Sequence, residues 1–94
     1  SMPAARPESA GQAHTLSGRV LVQDTDDAVR AMVLVNGQFD FADSNGEYVV
    51  EFPLDSQGQF TRQVYATGFA PSIETYDAST TSLDIRLARS SECQ

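Results

Sequence analysis

The run Asp43-Ser44-Asn45-Gly46-Glu47-Tyr48 separates two stretches whose apolar residues recur at every second position, the signature of a strand, a tight reversal and another strand. Asp and Asn side chains hydrogen-bond the backbone two residues on, and Gly46 takes positive φ without a Cβ clash, so this segment reverses the chain with little strain. The alternation extends over most of the sequence. Leu16, Gly18, Val20 and Val22 alternate with Ser17, Arg19, Leu21 and Gln23 as a first strand, which ends in an acidic loop at Asp24, Asp26 and Asp27. Ala31 to Val35 is the second strand, Asn36-Gly37 a hairpin signal, and Gln38 to Ala42 the third. Tyr48, Val50 and Phe52 share one face of a fourth strand stopped by Pro53. Asp55-Ser56-Gln57-Gly58 turns the chain into a fifth, Phe60 to Thr67, where Arg62 interrupts the apolar side. Pro71 marks the sixth, Phe69 to Tyr76, as short, irregular or at a sheet edge. Leu83, Ile85 and Leu87 form the seventh. Short strands at a spacing of about ten residues, with no helical period, predict an all-β, seven-stranded antiparallel sandwich over residues 15–89.

Outside that domain, residues 1–14 hold two Pro and no apolar periodicity, which predicts a disordered leader or linker; residues 90–94 read as a disordered tail. Ser1-Met2 reads as an expression scar, leaving room for a signal peptide or lipoprotein leader trimmed ahead of it.

Ninety-four residues are enough for one domain with a modest core. Six basic residues against thirteen acidic ones give a net charge of −7, a field that repels phosphates and argues against nucleic acid and anionic membranes as partners. All six basic residues are Arg, so Schiff-base, P-loop and isopeptide lysine chemistry is excluded. The single His14 and single Cys93 lie at opposite ends of the chain. Nucleophilic triads need a histidine beside the nucleophile, and structural zinc needs four ligands, so the expectation is no enzyme and no zinc. Cys93 reads as a free tail thiol or a half-cystine paired outside this chain.

Asn36-Gly37 admits two registers. A two-residue turn pairs Leu34 with Phe39 and Met32 with Phe41, leaving Ala31, Val33 and Val35 with Gln38 and Asp40; a three-residue loop with a glycine bulge places Ala31 and Val33 beside Phe39 and Phe41. In both, the second strand is apolar on both faces. One set lies under a loop, in water or against a partner, and Met32 and Leu34 are the candidate partner patch.

Ser17-Gly18-Arg19-Val20, Ala31 to Val35, Asp43 to Tyr48 and Gly68-Phe69 together resemble, over about residues 16 to 88, the carboxypeptidase regulatory-like family of transthyretin-like (prealbumin-like) sandwiches. The resemblance implies a Greek-key sandwich serving as a non-catalytic accessory module, usually exported to the periplasm, cell surface or medium. Such modules pack on an enzyme, an outer-membrane receptor or a surface protein, so the expected partner is another domain of a parent protein or a separate protein. The first loop, Asp24 to Arg30, departs from the family in lacking Gly or Pro.

Two ligand classes complete the expectations. If every strand crosses the sandwich, the loop after strand one and the turn after strand three share an end, where Asp24, Asp26, Asp27, Asp43 and Asn45 offer oxygens to calcium. An EF-hand reading fails, since Phe41 and Phe52 hold its first and last ligand positions. For a glycan, Tyr65, Phe69 and Tyr76 are the candidate stacking aromatics, there being no Trp. The reading is therefore an exported structural or protein-interaction module without a resident cofactor, tied to a membrane only through a trimmed lipid anchor. A calcium- or carbohydrate-binding version is the alternative.

Overall fold

The computed structural model describes residues 13–90; residues 1–12 of the leader expected over 1–14, with its scar, and residues 91–94 of the expected tail, Cys93 among them, lie outside the described residues. Seven strands are present, β1 (Ala13–Val22), β2 (Met32–Val35), β3 (Gln38–Phe41), β4 (Glu47–Pro53), β5 (Gln59–Tyr65), β6 (Ser72–Asp77) and β7 (Ile85–Leu87), with no helix among the described residues. They form two sheets, β4-β1-β7 and β3-β2-β5-β6. Period-two alternation sends Leu16, Val20, Tyr48, Val50, Phe52, Ile85 and Leu87 from the first sheet against Val33, Val35, Phe60 and Val64 from the second. Phe52 and Phe60 meet across the layers with ring centroids 4.9 Å apart.

One pairing departs from the antiparallel expectation: β1 pairs β7 in parallel, Val20 opposite Ile85 and Val22 opposite Leu87. The link from β6 to β7 crosses between the sheets instead of reversing within one, so no hairpin forces the strands antiparallel. It enters beside β1 through a parallel bridge between Ser17 and Ser82 and a 2.9 Å bond from Leu83 N to Ser17 O. Strand β1 also begins two residues before the expected boundary. His14 falls on the same face as Leu16, packs 5.5 Å from Phe52 and 5.6 Å from Phe60, and its Nε2 lies 2.9 Å from Thr80 O. At the other end, Ser90 N donates to Gly68 O.

The Leu83 carbonyl lies over Gly18 and accepts the Tyr48 hydroxyl at 2.7 Å, Tyr48 being the cross-strand neighbour of Gly18. Burial pushes the Tyr48 phenol well above its ordinary value. The folded state therefore keeps a proton that the unfolded chain releases near pH 10. The associated stability is fully present below that pH and is lost as pH rises beyond it. Tyr48→Phe should cost about 1 kcal/mol at neutral pH and flatten the fall in stability above about pH 10, as read from denaturant melts across that range.

Arg62, only 4% exposed, is the charged residue that the core accommodates. Its stem lies on the apolar side of β5 and its head reaches the β6 edge, where Nη1 donates to Tyr76 OH at 3.1 Å and Nη2 to Ser72 Oγ at 2.6 Å. Tyr76 passes the chain on to Glu74 Oε1 at 2.7 Å. Edge placement of β6, one of the three outcomes expected from Pro71, is what leaves room for these polar groups.

Candidate functional site

The two loops expected at one end do meet. Val20 N donates to Gly46 O at 2.7 Å, and Asp27 and Ser44 line a common hollow. The carboxylates there are engaged one by one. Asp26 pairs with Arg86, Asp27 Oδ2 accepts Thr25 Oγ1 at 3.1 Å, and Asp43 Oδ1 accepts the backbone N–H groups of Asn45 and Glu47, each at 2.9 Å. Asp24 is exposed. Among the described residues, no group of three or more His, Cys, Asp or Glu gathers where it could hold a metal ion. Asp24, Asp26, Asp27, Asp43 and Asn45 thus share an end of the sandwich without forming one ligand set.

Asp43 does for its turn what Asp55 does for the next. Asp55 Oδ1 accepts from Gln57 N at 2.8 Å and Gln59 N at 2.9 Å, and Gly46 and Gly58 take φ of 80° and 73°. The repeat Asp-Ser-x-Gly at 43–46 and 55–58 was the sequence signal for this shared turn, and it marks a structural role for Asp43.

Of the candidate stacking aromatics, Tyr65 and Phe69 line one hollow at the loop end, whereas Tyr76 stands apart. Tyr65 lies on the outer face of the four-stranded sheet, and Tyr76 pairs with inward-facing Phe60 on its inner side. Phe69 is half-buried at the loop end beneath the Arg89 guanidinium, 5.1 Å from its ring centroid.

The outer face of β3-β2-β5-β6 is where side chains converge. The hairpin adopts the two-residue register, Met32 opposite Phe41 and Leu34 opposite Phe39, so Val33 and Val35 enter the core while the larger pairs face out. Both sheet neighbours extend the same rows, Met32 to Tyr65 and Leu34 through Gln63 to Ile73. Phe39 and Phe41, 58% and 63% exposed, stand edge to face with centroids 5.5 Å apart; Ile73 and Tyr65 are 57% and 38% exposed. Met32 and Leu34, the expected patch, are half-buried between them. At the loop end the face dips into an open hollow of about 470 Å³, walled by Met32, Phe41, Tyr65 and Phe69 with Arg30 at its rim.

Charge separates this face from its counterpart. The outward rows of β4-β1-β7 carry Arg19, Glu47, Glu51 and Arg86, whereas those of β3-β2-β5-β6 carry a single charge, Asp77, at the last position of β6. Four of the polar side chains on the apolar face pair with each other, Tyr65 OH donating to Gln63 Oε1 at 2.6 Å and the Thr61 and Thr75 hydroxyls lying 3.0 Å apart. Reading single strands had supplied Met32 and Leu34. Single-strand alternation does not single out Ile73, whose two-residue spacing from Thr75 on an edge strand is the available signal. A scan against protein-family models gives no match for the chain, and a search of the curated proteins gives none either.

Proposed function

We propose that this chain is a non-catalytic, exported sandwich module of the transthyretin-like, Greek-key kind, which holds a protein partner on the outer face of its four-stranded sheet. One observation carries the reading: that face presents six large apolar side chains and almost no charge, on a protein of net charge −7. Solvated sheet faces alternate apolar-in with polar-out, and contiguous exposed apolar patches mark interaction sites. The strand orders β4-β1-β7 and β3-β2-β5-β6, with one β-hairpin in the second sheet on each side of the β3 to β5 crossing, support the transthyretin-like assignment. His14, hydrogen-bonded to Thr80 O and packed against Phe52 and Phe60, supports the non-catalytic reading.

A photo-crosslinking amino acid at position 41 tests the reading, with one at Val49 on the opposite sheet as control, in the native host. Position 41 should give discrete adducts and position 49 none. Equal labelling from both positions, or no adduct from 41, removes the interaction face.

A further inference from the structure

Resting on that reading, we propose that the partner is a second copy of this chain, stacked face to face on the β3-β2-β5-β6 sheet about a two-fold axis. Three features of the face point to self-association. First, each copy carries −7, so two copies approach closely only through a surface that brings no carboxylates together, and this face is nearly free of them. Second, the Tyr65 and Gln63 side chains and the Thr61 and Thr75 hydroxyls bond one another within the face, so covering them with another apolar surface does not break those bonds. Third, the exposed parts of Phe39, Phe41, Tyr65 and Ile73, with the shallower Met32 and Leu34, amount to an area on the order of 600 Å². Doubled across an interface, that is about 1,200 Å², the lower limit for specific association.

Two charges bound the face, and they fix the direction of the axis. Arg30 stands at the loop end beside the hollow, two residues before Met32; Asp77 stands at the opposite end, on the edge strand. A two-fold running across the strands, tilted so that the β2 side of each copy meets the β6 side of the other, lays one end of the face over the other end of its mate. Arg30 of each copy then comes to Asp77 of the other, giving two rim ion pairs that a charge-blind apolar contact would lack. Sheets stacked in this way keep their strands roughly aligned, as packed sheets ordinarily do. The area, at the lower limit for specific association, suits a weak, reversible dimer.

Sedimentation equilibrium of the full chain from 1 to about 500 µM, under a reducing agent that removes any Cys93 disulfide, reads the monomer–dimer balance. The wild type should pass from monomer to dimer in that range. Phe41→Asp and Ile73→Asp should each raise the dissociation constant at least ~30-fold, because a substitution in a two-fold interface counts twice. Val49→Asp should leave it within about twofold. Arg30→Asp and Asp77→Arg should each weaken the dimer ~3- to 10-fold, and the double variant, whose net charge equals that of the wild type, should recover to within about threefold. Circular dichroism melts confirm that each exposed substitution leaves the fold intact. A wild type that stays monomeric throughout overturns the proposal, as does a dimer indifferent to Phe41→Asp; a double variant no tighter than the singles overturns the assigned axis. If the purified chain is monomeric while position 41 still gives adducts of another mass in the host, the second copy is wrong and the interaction face stands.

Discussion

Gly18→Ala is expected to destabilise the fold by about 3 kcal/mol or more, lowering the melting temperature by about 15 °C in a domain of this size. The reason is a backbone contact, not backbone conformation. A Cβ at position 18 would stand 1.8 Å from the Leu83 carbonyl oxygen and 2.7 Å from its carbon. Neither atom belongs to a flexible side chain, so the segment leading into β7 must move away from β1 as a unit. That displacement breaks the bonds from Ser17 N to Thr81 O and from Leu83 N to Ser17 O, and withdraws the acceptor of the Tyr48 hydroxyl. The parallel β1–β7 pair depends on the same approach, and with it the burial of Ile85 and Leu87. Thermal melts of the single variants and of Gly18→Ala/Tyr48→Phe test this account. Because both changes remove the Tyr48 to Leu83 bond, their costs should sum to more than the cost of the double variant. Strict additivity, or a Gly18→Ala melt within 3 °C of the wild type, would show that the segment yields without consequence.

Much of the strand layout was legible because local chemistry and global packing agree. Tyr48, Val50 and Phe52 alternate cleanly and all three are buried, and Asn36-Gly37 does make the two-residue turn of one of the two registers weighed. The positions that were not legible share a physical cause: their environment is supplied by residues far along the chain. Gly18 counts in the sequence as one member of the first strand's inner face, and only the arrival of Leu83 explains why that position holds no side chain. Arg62 reads as a flaw in β5 until β6, lying at the sheet edge, brings Ser72 and Tyr76 within reach of its guanidinium. His14 reads as part of a leader, since one residue of alternation cannot extend a strand, whereas the rings of Phe52 and Phe60 do. The candidate site divides in the same way. Met32 and Leu34 follow from a strand apolar on both faces. That Phe39, Phe41, Tyr65 and Ile73 lie in the same outward rows is a property of sheet order, β3-β2-β5-β6, which period-two reasoning on separate strands does not contain.

Asn36 was legible as a turn former, yet most of its contribution lies in its side chain. Its φ of 45°, followed by 90° at Gly37, suits the hairpin, and many Asn-Gly turns need no more than this. Here Nδ2 also donates to Pro53 O at 2.9 Å and to Gln59 O at 3.2 Å, while Oδ1 accepts from Thr61 N at 3.1 Å. One amide thus ties the β2–β3 turn to the end of β4 in one sheet and to the start of β5 in the other. Asn36→Ala should cost about 2 to 3 kcal/mol, combining the lost bonds with a Cβ-bearing residue held at positive φ. Asn36→Gly separates the two causes, because glycine accepts the turn and supplies no amide. If the bridge dominates, the glycine variant should retain most of the loss, and chemical denaturation should place it within about 1 kcal/mol of the alanine variant. Asn36→Asp should fare no better, since it keeps the acceptor for Thr61 N but turns a carboxylate oxygen toward the carbonyls of Pro53 and Gln59. A glycine variant as stable as the wild type would reduce Asn36 to its turn, and the link between the sheets at this end would then rest on the packing of His14, Phe52 and Phe60.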